Sequence, residues 1–203
     1  MQVVAIDGPV GSGKSTVARA VASRLGLAHL ETGAMYRAVA LAVLRRGIEP
    51  VADDPALAEV ARTVRMEVGE RLVVDGADVT EELRAPEVGR AVSVVAADPG
   101  VRAELVRRQR QWVADRGGAV VEGRDIGSVV FPDATLRVYL TASDEERARR
   151  RGGDETAADV ARRDRIDSSR SASPLIVPEG ATVIDTTDRS VAEVVDEIVG
   201  RLG

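Results

Sequence analysis

Short apolar runs alternate along the chain with longer segments in which apolar residues recur every three or four positions. Residues 3–6 form the first such run, and Val17, Val21 and Leu25 in the next segment have helical spacing. Residues 136–140 form a similar run further along the chain. Near-continuously apolar strands separated by helices are typical of a parallel sheet that helices cover on both faces. The pattern therefore predicts an α/β fold.

Further elements follow from the same spacing and from helix-start signals. Two capping boxes, Ser143-x-x-Glu146 and Ser190-x-x-Glu193, each predict the start of a helix. The remaining expected elements are strands at 28–30, 119–121 and 182–185, and helices at 34–46, at 55–63, from Pro86, at 100–115 and from Ser190 to Leu202.

The hydrophobic period changes between residues 65 and 79. Three short runs, at 65–68, 72–74 and 77–79, are separated by turn residues at 69–70 and 75–76. Short runs joined by such turns are typical of an antiparallel ribbon. Because the ribbon interrupts the alternating order of strands and helices, we expect it to be an insertion in the α/β fold.

Between the first strand and the first helix, residues 8–15 read GPVGSGKS and match the phosphate-loop pattern G-x-x-x-x-G-K-[ST] at every fixed position. Glycines let several backbone N–H groups turn toward one phosphate, and the helix start adds unpaired donors. Lys14 is expected to reach the β- and γ-phosphates, and the Ser15 hydroxyl to bind Mg²⁺. The residues expected to bind ATP are Gly8, Pro9, Val10, Gly11, Ser12, Gly13, Lys14, Ser15 and Thr16.

Composition supports this interpretation. Lys14 is the only lysine among 28 basic residues, and a compact ammonium fits a narrow phosphate cradle better than a planar guanidinium. The formal net charge of −5 argues against a nucleic-acid polymer or a membrane surface as partner, because both are polyanionic. The absence of cysteine excludes disulfides and thiolate metal sites. With neither a signal peptide nor a membrane-spanning apolar run expected, a cytoplasmic location is predicted.

In parallel α/β sheets, ligands bind beyond the carboxyl ends of the strands. The segments that end or follow an expected strand are residues 8–15, Thr32, residues 122–125 and Thr141. We therefore expect these segments to lie along one rim of the sheet.

A phosphate loop by itself occurs in kinases, GTPase switches and ATP-driven motors. The guanine-reading pattern N-K-x-D is impossible without a second lysine, which excludes the common regulatory GTPase design. The small chain, the insertion and two arginine-bearing segments joined at Gly152 and Gly153 favour a small-molecule kinase with a hinged lid. A kinase for UMP, AMP or an alcohol such as shikimate stays open as an alternative, as does an ATP-binding regulatory module without turnover.

Four sequence blocks together resemble bacterial cytidylate kinases, and the resemblance is collinear over essentially all 203 residues. The blocks are GPVGSGKST at 8–16, TGAMYR at 32–37, EGRDIGSVVFPDA at 122–134 and RRDRIDSSRSASPL at 162–175. The third block is highly specific, whereas the phosphate loop is not. The ribbon at 65–79 also resembles that family's nucleoside-monophosphate-binding insertion.

The resemblance implies a function and an architecture. The function is transfer of the γ-phosphoryl group of ATP to CMP or dCMP with Mg²⁺. Separately from the resemblance, we expect the protein to be a monomer. The architecture is a three-layer α/β/α domain with a central parallel sheet. Its core would comprise residues 1–60, 86–148 and 172–203, its insertion 62–85 and its helical lid 149–171.

Site roles are carried over from that family by position. Thr32 and Arg37 would flank the CMP phosphate. Ser93, Arg102 and Asp125 would read the cytosine, whose amino donor and ring acceptors complement a carboxylate, a hydroxyl and a guanidinium. The residues implied in phosphate, sugar and lid contacts are Arg124, Arg163, Asp167 and Arg170. The residues expected to be catalytic, by neutralising the two polyanions, are Lys14, Arg124, Arg163 and Arg170.

The acceptor phosphate is already anionic near neutral pH, so no general base is required. His29, the only histidine, lies in a short expected strand and is predicted to be structural. Glu31 and Glu122 stand where that family commonly has aspartate, and neither is included among the expected metal ligands. Thr32 keeps the hydroxyl of a position that is often serine.

Overall fold

A computed structural model describes residues 1–69, 71–152, 156–158, 161 and 175–202. Its strands are β1 (Gln2–Asp7), β2 (Ala28–Glu31), β3 (Met66–Val68), β4 (Leu72–Val74), β5 (Ala77–Asp78), β6 (Gly118–Glu122), β7 (Leu136–Thr141) and β8 (Thr182–Asp185). Its helices of eight or more residues are α1 (Lys14–Leu25), α2 (Thr32–Arg45), α3 (Pro55–Thr63), α4 (Pro86–Val95), α5 (Pro99–Ala114), α6 (Asp144–Arg151) and α7 (Val191–Gly200). The chain divides into two compact units, one of residues 1–30 and 113–203 and the other of residues 31–112.

The first unit is built on a five-stranded sheet with the strand order β2-β6-β1-β7-β8. β1 pairs in parallel with β6 and with β7, and β7 pairs in parallel with β8. Since β1 is central, the loop that follows it has the ends of β6 and β7 as neighbours. The predicted parallel sheet flanked by helices is confirmed.

One face of this sheet carries the apolar core of the first unit. Val4 and Ile6 of β1 are buried against the apolar stripes of α1 and α7. The stripe of α1 contains Val17 and Val21, as the sequence spacing predicted. Burial of such aliphatic side chains is the main stabilising contribution to a domain of this size, and here it anchors the strand and the helix on either side of the phosphate loop.

The two predicted capping boxes differ. At the start of α7 the box is complete: Ser190 accepts from the Glu193 backbone N–H, and the Glu193 carboxylate accepts in return. At α6 only half of the box forms. Ser143 Oγ accepts from the Glu146 N–H, but the Ser143 N–H donates to Thr187 Oγ1 instead. The box fails there because the Glu146 carboxylate is bound by arginines of its own helix.

The second unit contains α2 to α5 and a three-stranded antiparallel sheet, β3-β4-β5, which confirms the predicted ribbon. α2 packs against α3 and α4 and is buried along most of its length. Asp54 caps α3, and α4 and α5 begin at Pro86 and Pro99, as predicted. Trp112 is half-buried, and its indole N–H donates to the Val68 carbonyl of β3 at 3.1 Å.

Candidate active site

The phosphate-loop sequence lies between β1 and α1 at the carboxyl end of the sheet. Gly13 is the N-cap of α1, with φ of +87°, a region that favours glycine. Gly8 has φ of +147°, and a Cβ there would lie 2.1 Å from the Leu140 carbonyl oxygen of β7. Glycine is therefore required at position 8 for two reasons, backbone conformation and close contact with the neighbouring strand.

The carbonyl oxygens of the loop are engaged by side-chain donors. The bonds are Arg124 Nη1 to Gly8 at 2.9 Å, Lys14 Nζ to Pro9 at 2.6 Å, Arg147 Nη1 to Val10 at 3.1 Å and Thr186 Oγ1 to Ser12 at 3.1 Å. Each bond directs a backbone carbonyl dipole toward a donor of the protein. The N–H groups at the opposite ends of these peptide units carry the partial positive charge that attracts an anion. Three of the four donors, Arg124, Arg147 and Thr186, lie far from the loop in sequence, so tertiary contacts hold its conformation.

Two of these donors, Arg147 and Thr186, are not among the expected site residues. Thr186 directly follows β8 and is 3% exposed, and its hydroxyl also lies 3.0 Å from the Thr141 carbonyl oxygen and accepts from Arg150 Nη1. Arg147 is 4% exposed and also pairs with Asp144. Thr186 could have been found from its place after a parallel strand. No local signal distinguishes Arg147 from the other arginines around it.

Glu122, the last residue of β6, is buried beside the start of α1. Its Oε2 accepts from Ser15 Oγ at 2.9 Å, and its Oε1 lies 3.1 Å from His29 Nε2. The Ser15 hydroxyl, predicted to bind a metal ion, is therefore in contact with a carboxylate that was left out of the expected ligands. β6 places it there because β6 is the direct neighbour of β1.

Asp7, at the end of β1, is fully buried and joins the phosphate loop to the segment after β6. Its two carboxylate oxygens accept from the Ile126 and Gly127 backbone N–H groups, each at 2.7 Å. Burial raises the pKa of Asp7 to about 6, against the lowering effect of those two hydrogen bonds. Repulsion from the nearby Asp125 carboxylate also contributes to the raised pKa.

Arg124 and Asp125 follow β6, as predicted. Arg124 is half-buried and reaches the phosphate loop, while Asp125 is 5% exposed. The Val129 backbone N–H donates to the Asp125 carbonyl at 2.9 Å, within the helical turn that follows. Of the predicted rim, residues 8–15, 122–125 and Thr141 all belong to the first unit, and the bonds above connect them.

The expected acceptor-binding residues Thr32, Arg37, Ser93 and Arg102 belong to the second unit. Thr32 is buried at the start of α2, and Arg37, one turn later, pairs with Glu31. Ser93 is exposed on α4.

Arg102 is held firmly within the second unit. It is 6% exposed, donates to the Ala96 carbonyl at 3.0 Å and lies over the Tyr36 ring at 5.5 Å. A guanidinium over an aromatic face gains a cation–π attraction. Tyr36 belongs to the TGAMYR block, so this contact links that block to α5.

Three predicted site residues, Arg163, Asp167 and Arg170, lie outside the described residues, as does most of the expected lid at 149–171. Their roles stay predictions.

The donors near the start of α1 suit a hard cation. A hydroxyl and a carboxylate, from Ser15 and Glu122, offer the oxygen ligands that Mg²⁺ prefers. Within the described ranges no group of three or more histidine, cysteine or acidic residues could enclose a metal ion. The Ser15 and Glu122 oxygens therefore fit Mg²⁺ by the chemistry of their ligand atoms.

Residues 4–202 match the sequence model of the family described as Cytidylate kinase. The chain belongs to the cytidylate kinase family. The cytidylate kinase of Mycobacterium leprae is 49% identical over 97% of this chain and 93% of its own length. That of Pelotomaculum thermopropionicum is 48% identical over 98% of this chain and 95% of its own. The predicted family is confirmed.

Comparison with solved structures supports the fold. A gluconokinase from Sinorhizobium meliloti superposes with a TM-score of 0.53 at 18% identity, covering 99% of this chain and 91% of that one. Among the residues that the structure describes, no helix is both long and apolar enough to cross a membrane.

Proposed function

We propose that this member of the cytidylate kinase family transfers the γ-phosphoryl group of ATP to CMP or dCMP, giving ADP and CDP or dCDP. Family membership over residues 4–202 supports this reaction. The phosphate loop supports ATP as the donor, because its sequence matches the phosphate-binding pattern and donors of the protein engage its carbonyl oxygens.

One structural observation carries the proposal furthest. The EGRD sequence at 122–125 opens the 122–134 block, which is highly specific to the resemblance, and it contacts the phosphate loop twice. Glu122 accepts from Ser15, and Arg124 donates to the Gly8 carbonyl oxygen. A general ATP-binding loop and a family-specific sequence thus form one connected site in the first unit.

Charge neutralisation is the chemical task of this site. The attacking oxygen belongs to a phosphate that is anionic near pH 7, so the protein need not remove a proton. We assign this role to Lys14 and Arg124, whose side chains donate to carbonyl oxygens of the phosphate loop. We also assign it to Arg163 and Arg170, on the basis of the family resemblance. A bound Mg²⁺, which Ser15 would hold, would supply further positive charge to the phosphates.

Acceptor recognition is assigned to Thr32, Arg37, Ser93, Arg102 and Asp125, and sugar contacts to Asp167. The near-complete burial of Asp125 and Arg102 supports selectivity. A buried carboxylate that faces the N4 amino group of cytosine would face an oxygen in UMP, and an unmatched buried polar group is costly. We also propose that the enzyme acts in the cytoplasm as a monomer of one functional domain, with the boundaries expected above.

An acceptor panel tests the reaction. With ATP and Mg²⁺, CMP and dCMP should be phosphorylated far faster than UMP, AMP or shikimate. Preference for another acceptor would assign the protein to a different small kinase activity. Tight ATP binding without turnover of any acceptor would favour a regulatory module.

Asp125→Ala tests base reading on the same panel. The variant should lose at least about tenfold in kcat/KM for CMP relative to UMP, equivalent to ~1.4 kcal/mol, with ATP affinity retained. Asp133→Ala, which removes an exposed carboxylate from the same sequence block, is the matched control. An unchanged CMP/UMP ratio in Asp125→Ala would remove this residue from base recognition.

A further inference from the structure

The only histidine of the chain lies in a hydrogen-bonded series with Glu122 and Ser15. His29 is on β2, Glu122 ends β6, and Ser15 is in the first turn of α1. The Glu122 side chain is 4% exposed and that of His29 is 18% exposed. All three residues belong to the first unit.

Donor and acceptor chemistry fixes the direction of both bonds. An ionised carboxylate can only accept, so His29 must donate from Nε2 to Oε1, and Ser15 must donate its hydroxyl proton to Oε2. Each oxygen of the carboxylate is therefore held by a different residue. The Nε2-protonated form of His29 is the one that this geometry requires.

This arrangement determines what the Ser15 oxygen can bind. A serine hydroxyl has one proton and two lone pairs, and its proton rotates freely unless an acceptor holds it. With the proton directed at Glu122, the lone pairs of Ser15 remain for a cation. If the Glu122 side chain rotated away, the hydroxyl proton would no longer be fixed and could rotate toward the cation, into the direction that a lone pair must take for Ser15 to bind it.

We propose that His29 is a positioning residue for the metal-binding end of the phosphate loop. It holds the Glu122 carboxylate in the rotamer that takes the Ser15 proton, and so preserves Ser15 as a Mg²⁺ ligand. This role rests on the proposed use of Mg²⁺ with ATP, and it replaces the purely structural role that the sequence predicted for His29. Mutation of a residue that orients a metal ligand through hydrogen bonds typically lowers metal affinity by about 10- to 100-fold.

The wild-type protein gives the first test. In a ¹⁵N-labelled sample the single imidazole produces one assignable set of nitrogen signals. In the ADP complex we expect a proton on Nε2, and we expect the Nε2 signal to shift when Mg²⁺ is added. A neutral ring with its proton only on Nδ1, or a spectrum that does not respond to Mg²⁺, would overturn the proposal.

Two substitutions at His29 give the second test. His29→Phe keeps a ring but removes the donor, whereas His29→Gln keeps an N–H donor at a similar reach. In the protein–ADP complex, followed by electron paramagnetic resonance of Mn²⁺, His29→Phe should weaken Mn²⁺ binding at least about tenfold and His29→Gln by less than about threefold. ADP affinity in EDTA should be unchanged in both.

Arg24→Leu is the control. Arg24 lies on the same helix as Ser15, and the substitution breaks its exposed ion pair with Asp196 of α7. Unchanged Mn²⁺ affinity in His29→Phe, or an equal loss of ADP affinity without metal, would overturn the positioning role. These readouts do not depend on CMP. A wild-type protein that failed to phosphorylate CMP would therefore refute the proposed reaction. The Mn²⁺ affinities and the imidazole signals would still decide the role of His29.

Discussion

At the scale of single residues, the site depends on ionisable groups that burial has separated from water. Asp7, Glu122 and Arg147 are all less than 5% exposed. A buried charge is tolerated only when hydrogen bonds and opposite charges replace its hydration. Glu122 has Ser15 and His29, and Arg147 has a carbonyl and Asp144. Asp7 has the Ile126 and Gly127 backbone N–H groups as donors to its two oxygens.

Asp7 should make stability depend on pH. Its pKa is raised from 3.8 to about 6 in the folded protein, so the folded state holds this proton more tightly than the unfolded state. Its contribution to stability is therefore complete below about pH 4 and is lost as the pH rises to about 6, a loss of about 3 kcal/mol. Urea unfolding of wild type and Asp7→Asn between pH 4 and 7 measures it.

The difference between the two unfolding free energies isolates this group, because asparagine does not titrate. The wild type should lose stability relative to Asp7→Asn over this range, whatever the offset between them at pH 4. Asp133→Asn, at an exposed carboxylate, should show no such trend. Parallel curves for wild type and Asp7→Asn would contradict the raised pKa.

At the scale of elements, the ends of three neighbouring strands hold the phosphate loop in place. β1 leads into the loop, β7 brings the Leu140 carbonyl against Gly8, and the residue after β8 is Thr186. α6 adds Arg147 on the Val10 carbonyl oxygen. The loop is therefore supported by elements that begin more than 120 residues after it in the sequence.

Thr186→Val tests this support. The substitution keeps the shape but removes the hydroxyl that bonds Ser12 and accepts from Arg150. Loss of a buried hydrogen-bonding group typically destabilises a protein by about 1–3 kcal/mol. Because the loop would be less well held, ADP affinity measured by calorimetry should fall by about tenfold, or ~1.4 kcal/mol.

Thr186→Ser is the matched control, since it keeps the hydroxyl and removes only a methyl group. It should retain ADP affinity close to that of the wild type. If Thr186→Val bound ADP as tightly as Thr186→Ser, the hydroxyl would have no part in shaping the loop.

At the scale of the whole molecule, the expected ligand contacts divide between two compact units. The phosphate loop belongs to the first unit. Thr32, Arg37, Ser93 and Arg102 belong to the second. ADP should therefore stabilise the phosphate loop, and CMP should stabilise the segments of the second unit as well as Asp125 in the first, since binding to the folded state suppresses local opening.

Hydrogen exchange with mass spectrometry tests that division. ADP with Mg²⁺ should slow amide exchange at residues 8–16. CMP should slow amide exchange at residues 32–37 and 93–102. With ADP alone, amide exchange in these two segments should stay close to its rate in the ligand-free protein. Unchanged exchange in both of these segments at saturating CMP would contradict their assignment to acceptor binding.

Much of the fold and part of the site could be predicted from sequence. Helical and strand periods located the elements to within a few residues, for example α3 at Pro55–Thr63. The half-formed capping box at Ser143 was not predictable, because Glu146 is taken by arginines and Thr187 supplies the substitute bond. Glu122 was noted but left out, since nothing local indicates that it lies beside Ser15.

The sequence by itself determined the phosphate loop, the periods of the strands and helices and the family blocks, because each depends on residues close together along the chain. Only the tertiary structure decided which side chains support that loop. Ser15 and Glu122 are 107 residues apart, and Ser12 and Thr186 are 174 apart. Their contacts depend on the strand order β2-β6-β1-β7-β8, which is set by packing of the whole sheet and is not encoded in any local spacing.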